Sequence, residues 1–85
     1  MEVRYTSRFE REAKKVPRHL RKTVEDRVEL FKRNPFDSRL KTHKLTGALK
    51  EFWSFSVDYH YRVIFEFTES NCTVFHSIGD HSIYD

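Results

Sequence analysis

The first 35 residues carry apolar positions at helical spacing. Ser7, with Glu10 three residues later, is typical of a capping box at the start of a helix, and its apolar stripe is Phe9, Ala13 and Val16. A second stripe has Pro17 in its first turn and ends before Pro35; its members are Leu20, Val24, Val28 and Phe31. The pattern predicts two helices, preceded by a short candidate strand at residues 2–5.

From residue 52 onward the pattern changes to the alternation typical of β-strands. Three apolar segments follow one another: FWSFSV at 52–57, YRVIFEF at 61–67 and CTVFHSI at 72–78. The short connections at residues 58–60 and 68–71 favour an antiparallel meander. Because the middle segment is apolar on both faces, we expect a central strand that the helices cover on one side.

Length and composition narrow the class of protein. A chain of 85 residues predicts a single domain, residues 1–85, with a modest core and little room for a large cofactor. Cys72 alone cannot form an intramolecular disulfide, and the first residues show no apolar run resembling a signal peptide or membrane span. We therefore expect a cytoplasmic protein with no membrane partner and no cofactor.

Charge is distributed unevenly along the chain. Residues 1–50 hold fifteen Lys/Arg against seven Asp/Glu, whereas residues 51–85 hold one against six. The cations opposite the second apolar stripe are Arg18, Arg21, Lys22, Arg27, Lys32 and Arg33. Such a surface suits a polyanion or an acidic protein segment, although solvated helix faces also carry charges of this kind.

The predicted meander brings chemically useful residues to one edge of the sheet. The start of the middle strand and the end of the third strand meet there, so Arg62 faces a tail that carries His81 and Tyr84. A guanidinium suits phosphate oxygens, and a histidine can move a proton near neutral pH. Since RNA supplies its own nucleophile, the 2′-hydroxyl, a base, an acid and a cation would suffice to cleave it without a metal.

The same residues also have purely structural interpretations. The alternatives are an ion pair of Arg62 with Asp58 or Asp80, an ordinary exposed His81, and a Tyr84 that packs on the sheet. A metal site is not predicted, because the candidate ligands are widely spaced and lack an obvious fourth member: Cys72, His76 and His81.

The order of several short motifs resembles the RelE/ParE superfamily of type II toxins, in particular its RelE/StbE, YafQ-like and YoeB-like branches. The motifs are NPF, HKLTG, FWSFSV, YRVIFEF and IGDHSIY. They follow the two predicted helices, and the resemblance as a whole covers nearly the entire chain. The resemblance implies an α+β fold of the microbial RNase type, with two N-terminal helices packed on a twisted antiparallel sheet. It also implies a cognate antitoxin protein as partner.

The resemblance assigns catalytic roles to four positions. His81, in IGDH, matches the carboxy-terminal histidine that YafQ-like enzymes use for proton transfer, and Tyr84 falls near their terminal aromatic residue. His43, in HKLTG, matches a second histidine of that branch, which implies a complementary base or orienting group. Arg62, in YRVIF, matches the arginine that RelE-like and YoeB-like members place on the scissile phosphate.

The chain also departs from each branch of the family. Arg39 stands where YoeB-like toxins place a glutamate base, and Ser56 stands where YafQ-like toxins have a histidine. The lysines that RelE-like toxins carry in the FWSFSV region are replaced by apolar residues and serines. We expect Arg39, Lys44 and Lys50 to supply positive charge for RNA binding instead.

Two functions of different class follow from these observations. The first is an mRNA interferase, with mRNA and the ribosome as partners, which cleaves by 2′-hydroxyl attack and leaves a cyclic phosphate. The second is a non-catalytic ParE-like toxin that inhibits DNA gyrase, which needs no proton-transfer residues. A degenerate member that only binds its antitoxin is a third alternative.

Overall fold

The computed structural model describes residues 1–80 and shows an α+β architecture. In chain order the elements are β1 Glu2–Tyr5, α1 Ser7–Ala13, α2 Arg21–Arg33, β2 His43–Lys44, β3 Trp53–Ser56, β4 Arg62–Phe67 and β5 Cys72–Gly79. Short 3-10 turns lie at Arg18–Leu20, Ser38–Leu40 and Gly47–Leu49. Within residues 1–80, no helix has the length and apolar character needed to cross a membrane.

The five strands form one sheet in the order β1-β5-β4-β3-β2. The predicted antiparallel meander of β3, β4 and β5 is confirmed. The expectation of a wholly antiparallel sheet is wrong, because β1 pairs with β5 in parallel, from Glu2 opposite Cys72 to Tyr5 opposite Phe75. The candidate strand at residues 2–5 is confirmed as β1, so the helices follow a strand instead of opening the chain. Local patterns do not reveal this pairing, since the partner of β1 lies near the other end of the sequence.

The N-cap of helix α1 lies one residue earlier than predicted. Thr6, not Ser7, is the N-cap, and its side-chain oxygen accepts from the N–H of Phe9 at 3.0 Å. The same hydroxyl donates to the carbonyl oxygen of His76 at 3.1 Å. Farther along α1, a carboxylate oxygen of Glu12 accepts from the hydroxyl of Ser77 at 2.7 Å. These bonds fix α1 across β5.

The hydrophobic core lies between the helices and one face of the sheet. Phe31 of α2 is fully buried, and its ring centroid lies 5.0, 4.9 and 5.3 Å from those of Phe55, Phe65 and Phe75. Burying one such side chain contributes about 1.5–3 kcal/mol. The helix ends at Arg33, before Pro35 as predicted. Asn34 has an extended backbone conformation, which is typical of the residue before a proline.

The other face of the sheet is polar in sequence but is largely covered. Ser54 and Ser56 are buried, and Ile64 is only 4% exposed. Leu49 and Phe52 line a cavity that also includes Ile64, so the chain segment before β3 lies against this second face. By strand alternation Arg62 lies on this face too, two positions before Ile64.

Candidate active site

Arg62 lies at the end of the sheet where β4 begins, and a neighbouring strand flanks it on each side. It begins β4, directly opposite Ser56 of β3 and Gly79 of β5. The guanidinium Nη1 donates to the carbonyl oxygen of Asp58 at 2.9 Å and, more weakly, to that of Tyr61 at 3.5 Å. A guanidinium carries several N–H donors, so contacts with carbonyl oxygens are compatible with binding a phosphate as well.

The loop between β3 and β4 is a tight turn built on Asp58. One carboxylate oxygen of Asp58 accepts from the backbone N–H groups of His60 at 2.9 Å and Tyr61 at 2.7 Å. The N–H of Val57 donates to the carbonyl oxygen of Tyr61 at 2.9 Å and closes the hairpin. The carboxylate of Asp58 thus orders the loop, while its carbonyl oxygen orients Arg62.

Arg62 lines a surface cleft with a volume of about 370 Å³, called here the Arg62 cleft. Its lining residues come from α2, from the chain after α2 and from the β3–β4 hairpin: Arg27, Arg39, Lys41, Ser56, Val57, Asp58, Tyr59 and Arg62. Four of the eight are cations and one is an acid. Arg27, Arg39 and Lys41, from the first half of the chain, therefore line the same cleft as Arg62 of the predicted meander. This concentration of positive charge favours the binding of an anion.

Arg39 is oriented by an ion pair with Asp37. Its Nε and Nη2 atoms donate to the two carboxylate oxygens of Asp37, each at 2.9 Å. Hydrogen bonds from Arg39 lower the pKa of Asp37 from its ordinary 3.8 to about 2, and the carboxylate raises the pKa of Arg39. Because Asp37 stays ionised down to strongly acidic pH, it is a weak proton acceptor and a poor candidate for a general base.

His43 lies on the same face of the sheet as Arg62. It pairs with Ser54 in β2, and Ser54 shares a face with Ser56, which lies opposite Arg62. The Cα atoms of His43 and Arg62 are two strands and two residues apart, a separation of about 12 Å from standard sheet spacings. His43 is exposed, so its ring is open to a substrate.

The tautomer of neutral His43 follows from one hydrogen bond. Its Nδ1 lies 2.9 Å from the carbonyl oxygen of Lys41. A carbonyl oxygen only accepts, so Nδ1 carries the hydrogen, and Nε2 is the nitrogen that can take a proton.

Of the other residues predicted to form the site, the two lysines lie outside the Arg62 cleft. Lys44 pairs with Trp53, which packs against the core, so alternation puts Lys44 on the face opposite His43. Lys50 follows the Gly47–Leu49 turn and is exposed. Neither lysine lines the Arg62 cleft. His81 and Tyr84 lie outside the described residues.

Sequence reasoning missed Lys41 and Tyr59 as members of the cleft. Lys41 has a φ of 52°, a left-handed conformation that carries its carbonyl oxygen to His43. Lysine gives no signal for such a turn, since glycine or asparagine is the usual residue there. The exposure of Tyr59 in the β3–β4 loop could have marked it as a surface aromatic residue, but nothing in the sequence connected it with Lys41.

A second polar pair lies on the same face of the sheet, away from the Arg62 cleft. Nε2 of His76 is 2.7 Å from a carboxylate oxygen of Glu66, and the His76 ring packs edge-on against Phe52 at 5.1 Å. Within residues 1–80, no group of three or more His, Cys, Asp or Glu side chains is arranged to hold a metal ion.

The structure is similar to solved structures of toxins. YafQ from E. coli strain BL21(DE3) superposes with a TM-score of 0.80 at 17% identity, covering 98% of this chain and 96% of YafQ. A YoeB/ParE toxin from Agrobacterium tumefaciens gives 0.78 at 18% identity, covering 95% and 99%. The YoeB–YefM complex from Staphylococcus aureus gives 0.75 at 15% identity, covering 95% and 97%.

These similarities show that the chain shares the fold of YafQ and YoeB/ParE toxins, in agreement with the α+β fold that the resemblance implied. No protein-family model and no curated protein sequence matches the chain.

Proposed function

We propose that this protein is the toxin of a type II toxin–antitoxin system and acts in the cytoplasm as an mRNA interferase, an endoribonuclease that works on the ribosome. The observation that carries the proposal is the placement of Arg62 and His43 on one face of the sheet, beside a cleft with three further cations. An arginine and an imidazole base are two of the groups that 2′-hydroxyl attack requires. The similarity in fold to toxins supports the toxin assignment.

The proposed reaction uses the RNA's own 2′-hydroxyl as nucleophile. His43 accepts the hydroxyl proton at Nε2, the bond from the 2′-oxygen to phosphorus forms, and the bond from phosphorus to the 5′-oxygen breaks. His81 donates a proton to the leaving 5′-oxygen, and Tyr84 is proposed as the terminal aromatic residue of the site. Arg62 stabilises the charge on the phosphorane oxygens. The products are a 2′,3′-cyclic phosphate and a 5′-hydroxyl.

RNA binding is proposed to rest mainly on the cations of the Arg62 cleft. Arg39, Arg27 and Lys41 are close enough to Arg62 to line the same cleft, and each can neutralise a backbone phosphate. Lys44 and Lys50, which were also predicted to bind RNA, would contact it only outside the cleft.

A cognate antitoxin is the proposed protein partner. YafQ is found with DinJ, and YoeB with YefM, in toxin–antitoxin complexes. The basic first half of this chain suits an acidic or disordered segment that folds on contact. Coexpression with the neighbouring reading frame, followed by purification through a tag on this chain, should recover the partner; failure of any small neighbour to co-purify would count against this assignment.

Gyrase inhibition by a non-catalytic ParE-like toxin is the second candidate. It is favoured by β3, where buried Ser54 and Ser56 stand in a region that carries lysines in RelE-like toxins. Induced expression, with mRNA integrity and plasmid supercoiling followed together, separates the two functions. The interferase degrades mRNA and leaves plasmid supercoiling unchanged. A gyrase inhibitor leaves mRNA intact and alters plasmid supercoiling.

A further inference from the structure

Tyr59 is an aromatic residue that the fold leaves in solvent. It is 83% exposed, compared with 57% for Phe36 and 42% for Tyr5, the other exposed large hydrophobic residues among residues 1–80. Phe36 and Tyr5 rest on rings that belong to the core or pack against it, at 5.7 Å from Trp53 and 5.5 Å from Phe75. The Tyr59 ring instead lies 5.2 Å from that of its neighbour His60. Core packing therefore does not explain Tyr59.

The loop that carries Tyr59 is well ordered by hydrogen bonds. The carboxylate of Asp58 holds the N–H groups of the next two residues after Tyr59, and Val57 closes the hairpin through Tyr61. Arg62 donates to the carbonyl oxygen of Asp58, so the loop and the guanidinium are tied together. The backbone of Tyr59 is thus held at a defined position relative to Arg62 before any ligand binds, which lowers the entropic cost of binding.

Tyr59 also lines the Arg62 cleft together with Arg39, Lys41 and Arg62. Grooves that combine cations with exposed aromatic rings are typical of sites for single-stranded nucleic acid, where the cations follow the phosphates and the rings stack on bases. A purely apolar partner would not use the cations, and a phosphate alone would not use the ring.

We propose that Tyr59 stacks on an unpaired base of single-stranded RNA and so positions the neighbouring phosphate on Arg62. This inference rests on the proposed function, because it assumes that RNA is the substrate. Stacking accepts every base, so Tyr59 sets the position of the strand more than the sequence that is cut. Tyr59 is a positioning residue and takes no part in proton transfer.

The test measures binding of short single-stranded oligonucleotides with 2′-deoxyribose throughout, which lack the attacking hydroxyl and cannot be cleaved. Tyr59→Ala should weaken binding about 5- to 150-fold, the range for loss of one base–aromatic stack. Tyr59→Trp should retain affinity. Ser70→Ala, which changes an exposed residue of the β4–β5 loop outside the Arg62 cleft, should bind as the wild type does.

Two further readouts distinguish stacking from a structural role. An oligonucleotide that lacks one base at the stacked position should bind the wild type as weakly as the complete oligonucleotide binds Tyr59→Ala, and it should show no additional loss with that variant. The dependence of affinity on salt should not change in Tyr59→Ala, because no phosphate contact is removed. On ribosome-bound message, kcat/KM should fall by a similar factor.

The outcomes separate this inference from the proposed function. Binding and kcat/KM that are unchanged in Tyr59→Ala, while Arg62→Ala is impaired, would overturn the stacking role and leave the interferase standing. A wild-type protein that neither binds the oligonucleotides nor cleaves message would overturn both.

Discussion

Nδ1 of His43 lies 2.9 Å from the carbonyl oxygen of Lys41, two residues earlier in the chain. This contact requires hydrogen on Nδ1 and leaves Nε2 to accept a proton in the neutral ring. The left-handed turn at Lys41 makes the contact available, and β2 places the ring on the face that carries Arg62. The turn at Lys41 therefore leaves Nε2 as the nitrogen of the exposed ring that can accept a proton.

Replacing His43 by glutamine should reduce cleavage of ribosome-bound message roughly a hundredfold or more, because the general base is lost. The wild-type rate should have a bell-shaped pH dependence, since one group must be deprotonated and another protonated. In His43→Gln the acidic side of the bell should flatten. His60→Gln is the matched control, as His60 is also exposed and does not line the Arg62 cleft. Cleavage that is unaffected by His43→Gln would transfer the base role to another group.

Arg62 is expected to contribute through both its charge and its fork of donors. Arg62→Ala should lose about 2.7–4 kcal/mol of transition-state stabilisation, equivalent to a fall of roughly 10²–10³ in kcat. Arg62→Lys should recover only part of the rate, because an ammonium cannot bind two phosphate oxygens in the same geometry. Circular dichroism and thermal unfolding should show that both variants are folded. Arg18→Ala, on an exposed helical turn, serves as the control, and full activity of folded Arg62→Ala would exclude Arg62 from the site.

The Asp37–Arg39 pair predicts a specific dependence of stability on pH. The pKa of Asp37 is about 2 in the folded chain, below its ordinary 3.8. The pair therefore stabilises the fold fully above the ordinary value, and this contribution disappears as pH falls through about 2. The carboxylate of Asp37 also accepts from the backbone N–H of Arg39 at 2.9 Å and so caps the Ser38–Leu40 turn. Asp37→Asn retains an oxygen for this bond but removes the charge. The difference in unfolding temperature between wild type and Asp37→Asn should shrink on acidification; a difference that grows at low pH would contradict the ion pair.

The repeating elements of the fold were predictable because they depend on local patterns. Helix α2 and the central strand β4 were predicted to within a few residues, since apolar spacing and Pro35 mark them directly. The parallel pairing of β1 was not, because it depends on contacts between the two ends of the chain. The α1 cap was assigned to Ser7 because Glu10 stands three residues later, as in a capping box. Thr6 is the actual cap, and its contact with β5 is visible only in three dimensions.

The candidate site was predictable only where strand register determines it. Arg62 meets Gly79 because a meander with short loops leaves little freedom in register. The face on which Lys44 lies could not be derived before the pairing of β2 with β3 was known. Arg27 and Tyr59 enter the cleft through packing of α2 and of the hairpin loop, and neither follows from spacing in the sequence.

RNA cleavage by 2′-hydroxyl attack at Arg62 leaves a chemical signature on the RNA ends. Ribosome-bound message should be incubated with wild-type protein and with folded Arg62→Ala, and the new ends should be mapped. We expect 2′,3′-cyclic phosphate and 5′-hydroxyl ends with the wild type and almost none with the variant. Intact message in the presence of wild-type protein that alters plasmid supercoiling would rule out the proposed RNA cleavage and favour gyrase inhibition.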